Sequence, residues 1–234
     1  MLVMKFGGTS VGGGKQLRGV AAIVGRYRGE PLAVVASAMR GVTDLLLNVA
    51  NAAAASDRRA IRAALRDLRE RHYAAIDEAL DEPGNRHDVG REVATRLEQL
   101  RRLLTGVALV GELSPRSRDR IAGWGEGCLV PILAGVLREQ GIPAQVVGGE
   151  RVIVTDDRFG EASPDLEATT VRAAATLKPL LDAGVVPVIS GFVGATPGGV
   201  QTILGRGVGL LGQHPRARAR RARGSGSGPM STVC

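Results

Sequence analysis

With 234 residues and 44% hydrophobic content, the chain can bury one large core or two small ones, and its 3% aromatic content, set against plentiful Ala, Val, Leu and Gly, fits small side chains packed between helices and a parallel sheet. Two cysteines, Cys128 and Cys234, exclude a disulfide framework and a cysteine metal cluster, and they suit a reducing, cytoplasmic compartment. Of the net charge of +8, five units come from Arg216, Arg218, Arg220, Arg221 and Arg223 with no acid beside them, which leaves +3 for residues 1–207 and no nucleic-acid signal in the part expected to fold.

No unbroken apolar run is long enough to span a membrane, and no leader of charged then apolar residues opens the chain. The first element is instead an apolar strand, Met1 to Met4, running into Lys5-Phe6-Gly7-Gly8-Thr9-Ser10. Glycines at a strand-to-helix turn let a ligand approach the backbone, helix-start N–H groups suit a phosphate, and Lys5 adds a full positive charge. An ordinary turn with a surface lysine reads equally well from these six residues. The stretch is neither a Walker A loop nor a Gly-x-Gly-x-x-Gly fingerprint.

A helix is expected over Gln16–Tyr27, then a strand over Leu32–Ala36 ending in Ser37-Ala38-Met39-Arg40-Gly41-Val42-Thr43-Asp44. Leu45, Leu46, Val49 and Ala50 continue with helical spacing. Strand–helix–strand with short links implies parallel pairing, so Ser37 and Thr43 could face the same crevice as Lys5 beyond the carboxyl ends of the strands. Either hydroxyl could equally serve as a helix cap or turn residue. Ser56-Asp57 caps a charged helix reaching Leu80, with Ile61, Leu65, Leu68 and Ile76 buried; Asp81 to Asn85 breaks it. A second helix over Val89–Leu104 completes a helical excursion, 56–104, from the sheet. His72 and His87 have no partner at ligand spacing and read as surface residues.

Gly111 to Asp119 opens a helix with Pro115 in its first turn. Glu126, between Gly125 and Gly127 in apolar surroundings, either meets an ammonium group or is a solvated loop glutamate. Cys128 reads as a small buried hydrophobe and not a nucleophile. Strands follow at Ala144–Val147 and Val152–Val154. Asp156-Asp157 could coordinate magnesium or be turn chemistry. A helix over Asp165–Ala183 leads to the strand Val185–Ser190, then to Gly191-Phe192-Val193-Gly194-Ala195 and, beyond Leu204, Gly205-Arg206-Gly207. An arginine between glycines suits bidentate capture of a carboxylate.

In this order the segments Lys5 to Ser10, Ser37-Ala38-Met39 with Gly41-Val42-Thr43, Gly111 to Arg118, Gly125-Glu126, and Gly191 to Ala195 through Gly205-Arg206-Gly207 resemble the amino-acid kinase family, in particular its aspartate kinase branch. The resemblance implies a three-layer α/β/α sandwich with a mainly parallel central sheet. It also implies phosphoryl transfer from ATP, with Mg2+, to the side-chain carboxylate of L-aspartate, on the route to lysine, threonine and methionine. By it Lys5 is catalytic, and Lys5, Gly7, Gly8 and Ser10 hold the ATP phosphates. Ser37, Thr43, Glu126 and Arg206 line the aspartate site. L-aspartate and ATP are the partners, with no nucleic acid, membrane or resident metal, and a homodimer is expected of the full-length family. Arg40 stands where the family has a small residue, and Gly127-Cys128 where it has a larger residue and then leucine.

After Gly207 the family pattern stops. Shifted groupings of codons permitted for Val208–His214 and for Gly224–Val233 spell Ser-Asp-Tyr-Ser-Ala and Trp-Thr-Asp-Val-Asp-Gly, the family's own continuation. The expectation is therefore a frame change after Gly207, with residues 1–207 the substrate-side part of a kinase domain cut short on its nucleotide side, inactive as written, and 208–234 a disordered basic tail. The competing account is a genuine Gly-Ser-rich basic tail that contacts RNA or acidic partners.

Overall fold

The structure, a computed structural model, describes residues 1–205. Arg206, Gly207 and the tail 208–234, with the expectations placed on them, lie outside the described residues. Short runs of Val, Ala, Leu and Ile form four parallel strands, β1 (Leu2–Phe6), β2 (Leu32–Ala36), β3 (Ala144–Val147) and β4 (Val186–Ser190), in the sheet order β1-β2-β4-β3. Every residue of the inner strands β2 and β4 is buried, while the outer strands expose Lys5 and Gln145. Inner strands covered on both faces need such continuous apolar runs.

Successive side chains point to opposite faces of the sheet, and the two faces feed two cores. Leu2, Met4 and Phe6, Leu32, Val34 and Ala36, and Val186 and Val188 join a large core with helices α1 (Gly14–Gly25), α2 (Val42–Ala54), α3 (Arg58–Ala79), α4 (Pro83–Val110) and α5 (Pro115–Glu139). Val3, Ala33, Val35, Val147 and Ile189 join a smaller one with Leu177 of α6 (Leu166–Asp182). The result is the layered α/β architecture expected. Asp57, Glu82, Ser114 and Asp165 each accept backbone N–H bonds at the starts of α3, α4, α5 and α6. By contrast α1 and α2 begin at Gly13 and Gly41 with no side-chain cap.

Four readings of the sequence are corrected. The second helix of the excursion starts at Pro83, not Val89, because Pro83 takes the first helical position and Glu82 supplies the cap. Val152–Val154 is not a strand: a tight turn at Gly149–Arg151 redirects the chain, Val152 and Ile153 sink into the smaller core, and Val154 makes a single bridge to Ala195. His72 is fully buried, since it continues the inward stripe of α3 between Leu68 and Ile76. Glu126 lies in no loop, because α5 runs unbroken through Gly123, Gly125 and Gly127. Among the described residues α5 is also the helix that by length and composition could cross a membrane, although 83% of its apolar window is buried in this fold. After β4 comes an antiparallel hairpin of β5 (Val193–Ala195) and β6 (Gln201–Ile203).

Candidate active site

Sheet register assembles the site. Phe6 pairs with Ala36 and Ala36 with Ser190, so β1, β2 and β4 end level with one another. The ladder continues one step further, with Ser37 N–H donating to the Phe6 carbonyl at 3.0 Å and Gly191 N–H to the Ala36 carbonyl at 3.1 Å. Gly7, Ser37 and Gly191 therefore stand side by side where three strands stop, the place at which open parallel sheets take ligands.

Lys5, the last outward residue of β1 before Phe6, is exposed. Gly7 and Ser10 close a turn, the Ser10 N–H donating to the Gly7 carbonyl at 2.8 Å. At Gly8 a Cβ would come within 2.8 Å of the Ala38 carbonyl oxygen, so glycine is needed there to seat the β1–α1 turn against the β2–α2 turn. That contact binds the turn after β1, the strand that carries Lys5, and the turn that carries Ser37 into one unit. Ser37 and Thr43 are both half-buried. Neither caps α2, whose N-cap is Gly41 (φ 78°), so the helix-cap reading falls away for both. The Val42 N–H donates to the Met39 carbonyl at 3.0 Å, and no side chain caps the N–H groups that follow it.

Glu126 projects from α5 into this junction and is 3% exposed. Its Oε2 accepts the Phe192 N–H at 2.8 Å, from the loop leaving β4. Burial pushes its carboxyl up to about 8; the Phe192 N–H, the charge of Lys5 and the Gly191 N–H pull the other way. The backbone one residue earlier explains the close fit. A Cβ on Gly125 would lie 2.8 Å from the Ala38 Cβ and 3.0 Å from the Val42 Cγ1, so α5 packs directly on the β2–α2 turn. Lys5 at the end of β1, Gly7, Gly8, Ser10 and Ser37 in the turns, Thr43 in α2 and Glu126 in α5 thus belong to elements that meet at the carboxyl ends of the strands. Arg206 follows Gly205, the last described residue, and so lies outside the described residues.

The other candidates have structural roles. The Asp156 carboxylate accepts the Ser163 N–H at 3.0 Å and pairs with Arg158 Nε at 2.9 Å, bonds that hold it below the usual carboxylate range. This is turn chemistry. Among the described residues no group of three or more His, Cys, Asp or Glu side chains could hold a metal ion. Cys128 is buried and its thiol is pushed up to about 12, which leaves it inert at neutral pH. One residue that the sequence reading passed over stands out. Asp119, near the start of α5, is 1% exposed and anchors the hairpin. Its signal was an acid seven residues before Glu126, hence on the same helix face.

Comparison with known proteins finds relatives over most of this chain. The profile of the amino acid kinase family matches residues 1–209. Lysine-sensitive aspartokinase 3 of Escherichia coli is 34% identical over 207 residues, covering 88% of this chain and 44% of its own length. Aspartokinase 1, chloroplastic, of Arabidopsis thaliana is 31% identical over 217 residues, covering 88% of this chain and 36% of its own. The crystal structure of E. coli aspartokinase III in complex with aspartate and ADP superposes with a TM-score of 0.81 at 31% identity, over 91% of this chain and 46% of that one. The chain thus spans less than half the length of these relatives.

Proposed function

Because the chain belongs to the amino acid kinase family, we propose that residues 1–207 are the substrate-side part of an aspartate kinase, which transfers the terminal phosphoryl group of ATP to the side-chain carboxylate of L-aspartate. A carboxylate oxygen attacks the γ-phosphorus, the bond to the β-phosphate oxygen breaks, and 4-phospho-L-aspartate and ADP leave. The attacking carboxylate is already ionised at neutral pH, so no general base is required. Catalysis then rests on alignment and on neutralising charge at the phosphoryl oxygens. Lys5, the N–H groups of Gly7, Gly8 and Thr9, and the Ser10 hydroxyl have the chemistry for that task. Ser37 and Thr43 offer hydroxyls to the amino acid, Glu126 its carboxylate to the ammonium, and Arg206 a fork for the α-carboxylate. The described residues gather no metal-ligand set; Mg2+ would neutralise phosphate charge and would be carried in by the nucleotide.

The observation that carries this reading is Glu126, a buried acid at the meeting point of three strand ends, beside the charge of Lys5. A relative solved with aspartate and ADP supports it. The test is calorimetric titration of the chain with L-aspartate and with L-glutamate, together with trapping of acyl phosphate by hydroxylamine. L-Aspartate is expected to bind in preference to L-glutamate. Acyl phosphate is expected from a version in which Gly207 reads on into Gly-Ser-Asp-Tyr-Ser, and not from the chain as written. If L-glutamate bound better, or neither amino acid bound, the assignment would fail. In the version that reads on, Lys5→Ala should lower turnover far more than it raises the KM for aspartate, because its charge acts on the transferring group.

A further inference from the structure

We propose that Asp119 is a positioning residue, which locks strand β6 and Gly205 after it onto α5 beside the loop that bonds Glu126. The inference rests on the reading of Glu126 and Arg206 as the two anchors of the amino acid. Asp119 Oδ2 accepts two backbone N–H bonds, from Ile203 of β6 and from Gly160, each at 3.0 Å. The strand end is then held at each successive residue: Leu204 N–H donates to the Phe192 carbonyl at 2.9 Å, and Gly205 N–H to the Ala162 carbonyl at 3.3 Å. The Phe192 N–H in turn donates to Glu126. A single residue, Phe192, therefore connects Glu126 to the chain just after β6, through its N–H on one side and its carbonyl on the other.

Asp119 and Glu126 stand two turns apart on one face of α5, so one rigid helix holds the chain entering β5 and the chain leaving β6. Between them Gly123 lets β5 and β6 lie flush on the helix, since a Cβ there would meet the Gln201 side chain and come within 3.0 Å of Val193 Cγ2. The Asp119 Oδ1 atom is buried and has no hydrogen-bond partner. A buried carboxyl that leaves one oxygen unpaired is a costly fastening for two amides. Holding the end of β6 against the loop that bonds Glu126 gives a reason for that cost.

The test compares Asp119→Ala and Asp119→Asn in the full chain by amide hydrogen exchange resolved to single residues, and by calorimetry with L-aspartate. Asp119→Ala should lose protection at Gly160 and Ile203, and the loss should spread to Leu204 and Phe192 while Val34 and Leu133 stay protected. Aspartate affinity should fall by about 10–100-fold, the loss of about one hydrogen bond to a charged group. Asp119→Asn keeps an acceptor in place and should restore both protection and affinity. The proposal is overturned if Leu204 and Phe192 keep their protection in Asp119→Ala, or if protection falls equally at Val34 and Leu133. It is overturned also if Asp119→Asn loses affinity with Ile203 still protected, since charge and not position would then be acting. If Asp119→Ala does not fold, Asp119→Asn decides by that same comparison. Should the unmodified chain bind no aspartate, the functional reading fails, and the exchange pattern still decides whether Asp119 holds the hairpin to Glu126.

Discussion

Glu126 holds its proton to about pH 8 because burial penalises its charged form more than the Phe192 N–H and the Lys5 charge favour it. An ammonium group bonded to it would reverse that balance, so amino-acid binding near neutral pH should release a proton. Titration with L-aspartate at pH 7 in two buffers of different ionisation enthalpy is expected to show close to one proton released, with affinity rising toward pH 8. Glu126→Gln should bind more weakly and without the pH dependence, and Lys5→Ala should move the midpoint upward by removing a favourable charge. Equal heats in both buffers would remove Glu126 from the ammonium site. Residues of this kind were only partly legible in the sequence. The Lys5 and Ser37 turns follow from strand ends and glycine chemistry. His72 was readable in principle, because Leu68, His72 and Ile76 keep a spacing of four, yet a lone histidine in an arginine-rich helix looks solvated. For Asp119 nothing local shows that its partners lie 41 and 84 residues away.

At the scale of elements, β2 and β3 run over the residues expected, because short apolar runs bounded by turns carry their own limits. Glycine-rich α5 was the hardest to see. Local propensity opposes a helix through Gly123-Trp124-Gly125-Glu126-Gly127, and packing overrides it, since at Gly123 and Gly125 the neighbouring chains leave no room for a side chain. The same distinction separates two glycines within α1. A Cβ on Gly14 would lie 2.6 Å from Glu78 Cβ and 2.8 Å from the Ala75 carbonyl oxygen, where α1 crosses α3, and the Gly14 N–H donates to Glu78 Oε2 at 2.8 Å. A Cβ on Gly19 would meet nothing within 4 Å beyond its own stretch of helix. Gly14→Ala is therefore expected to destabilise by about 1–3 kcal/mol through overpacking, whereas Gly19→Ala should stabilise by about 1 kcal/mol through helix propensity. Denaturant unfolding of the two variants checks both signs. Equal effects would mean that the crossing adjusts freely and that Gly14 is there by accident.

Across the whole molecule, two buried groups tilt stability in opposite directions with pH. Glu126 keeps its proton in the folded state up to about pH 8, whereas in the unfolded chain it loses it near 4.5. The folded state thus binds the extra proton between those values, and stability falls as pH rises through that window, at about 1.4 kcal/mol per unit for one proton. His72 acts the other way. Its Nδ1–H donates to the Leu68 carbonyl at 2.6 Å, and its Nε2 is buried with no partner, so there is nothing to bond a second proton. Burial lowers its pKa from the usual 6.5, with the nearby Arg71 charge adding to the effect against the Leu68 bond. The unfolded chain therefore takes up a proton below pH 6.5 that the folded one refuses, and stability is lost as pH falls. Below 6.5 the two slopes oppose, which should blunt the rise toward acid pH; from 6.5 to 8 only the Glu126 slope remains of this pair. Urea unfolding from pH 4.5 to 9 should trace a decline above 6.5 that levels off past 8, with a shallower limb below 6.5. Glu126→Gln should flatten the decline, and His72→Leu should steepen the limb below 6.5. A stability curve in Glu126→Gln that still falls between 6.5 and 8 would show that the alkaline limb comes from elsewhere in the chain.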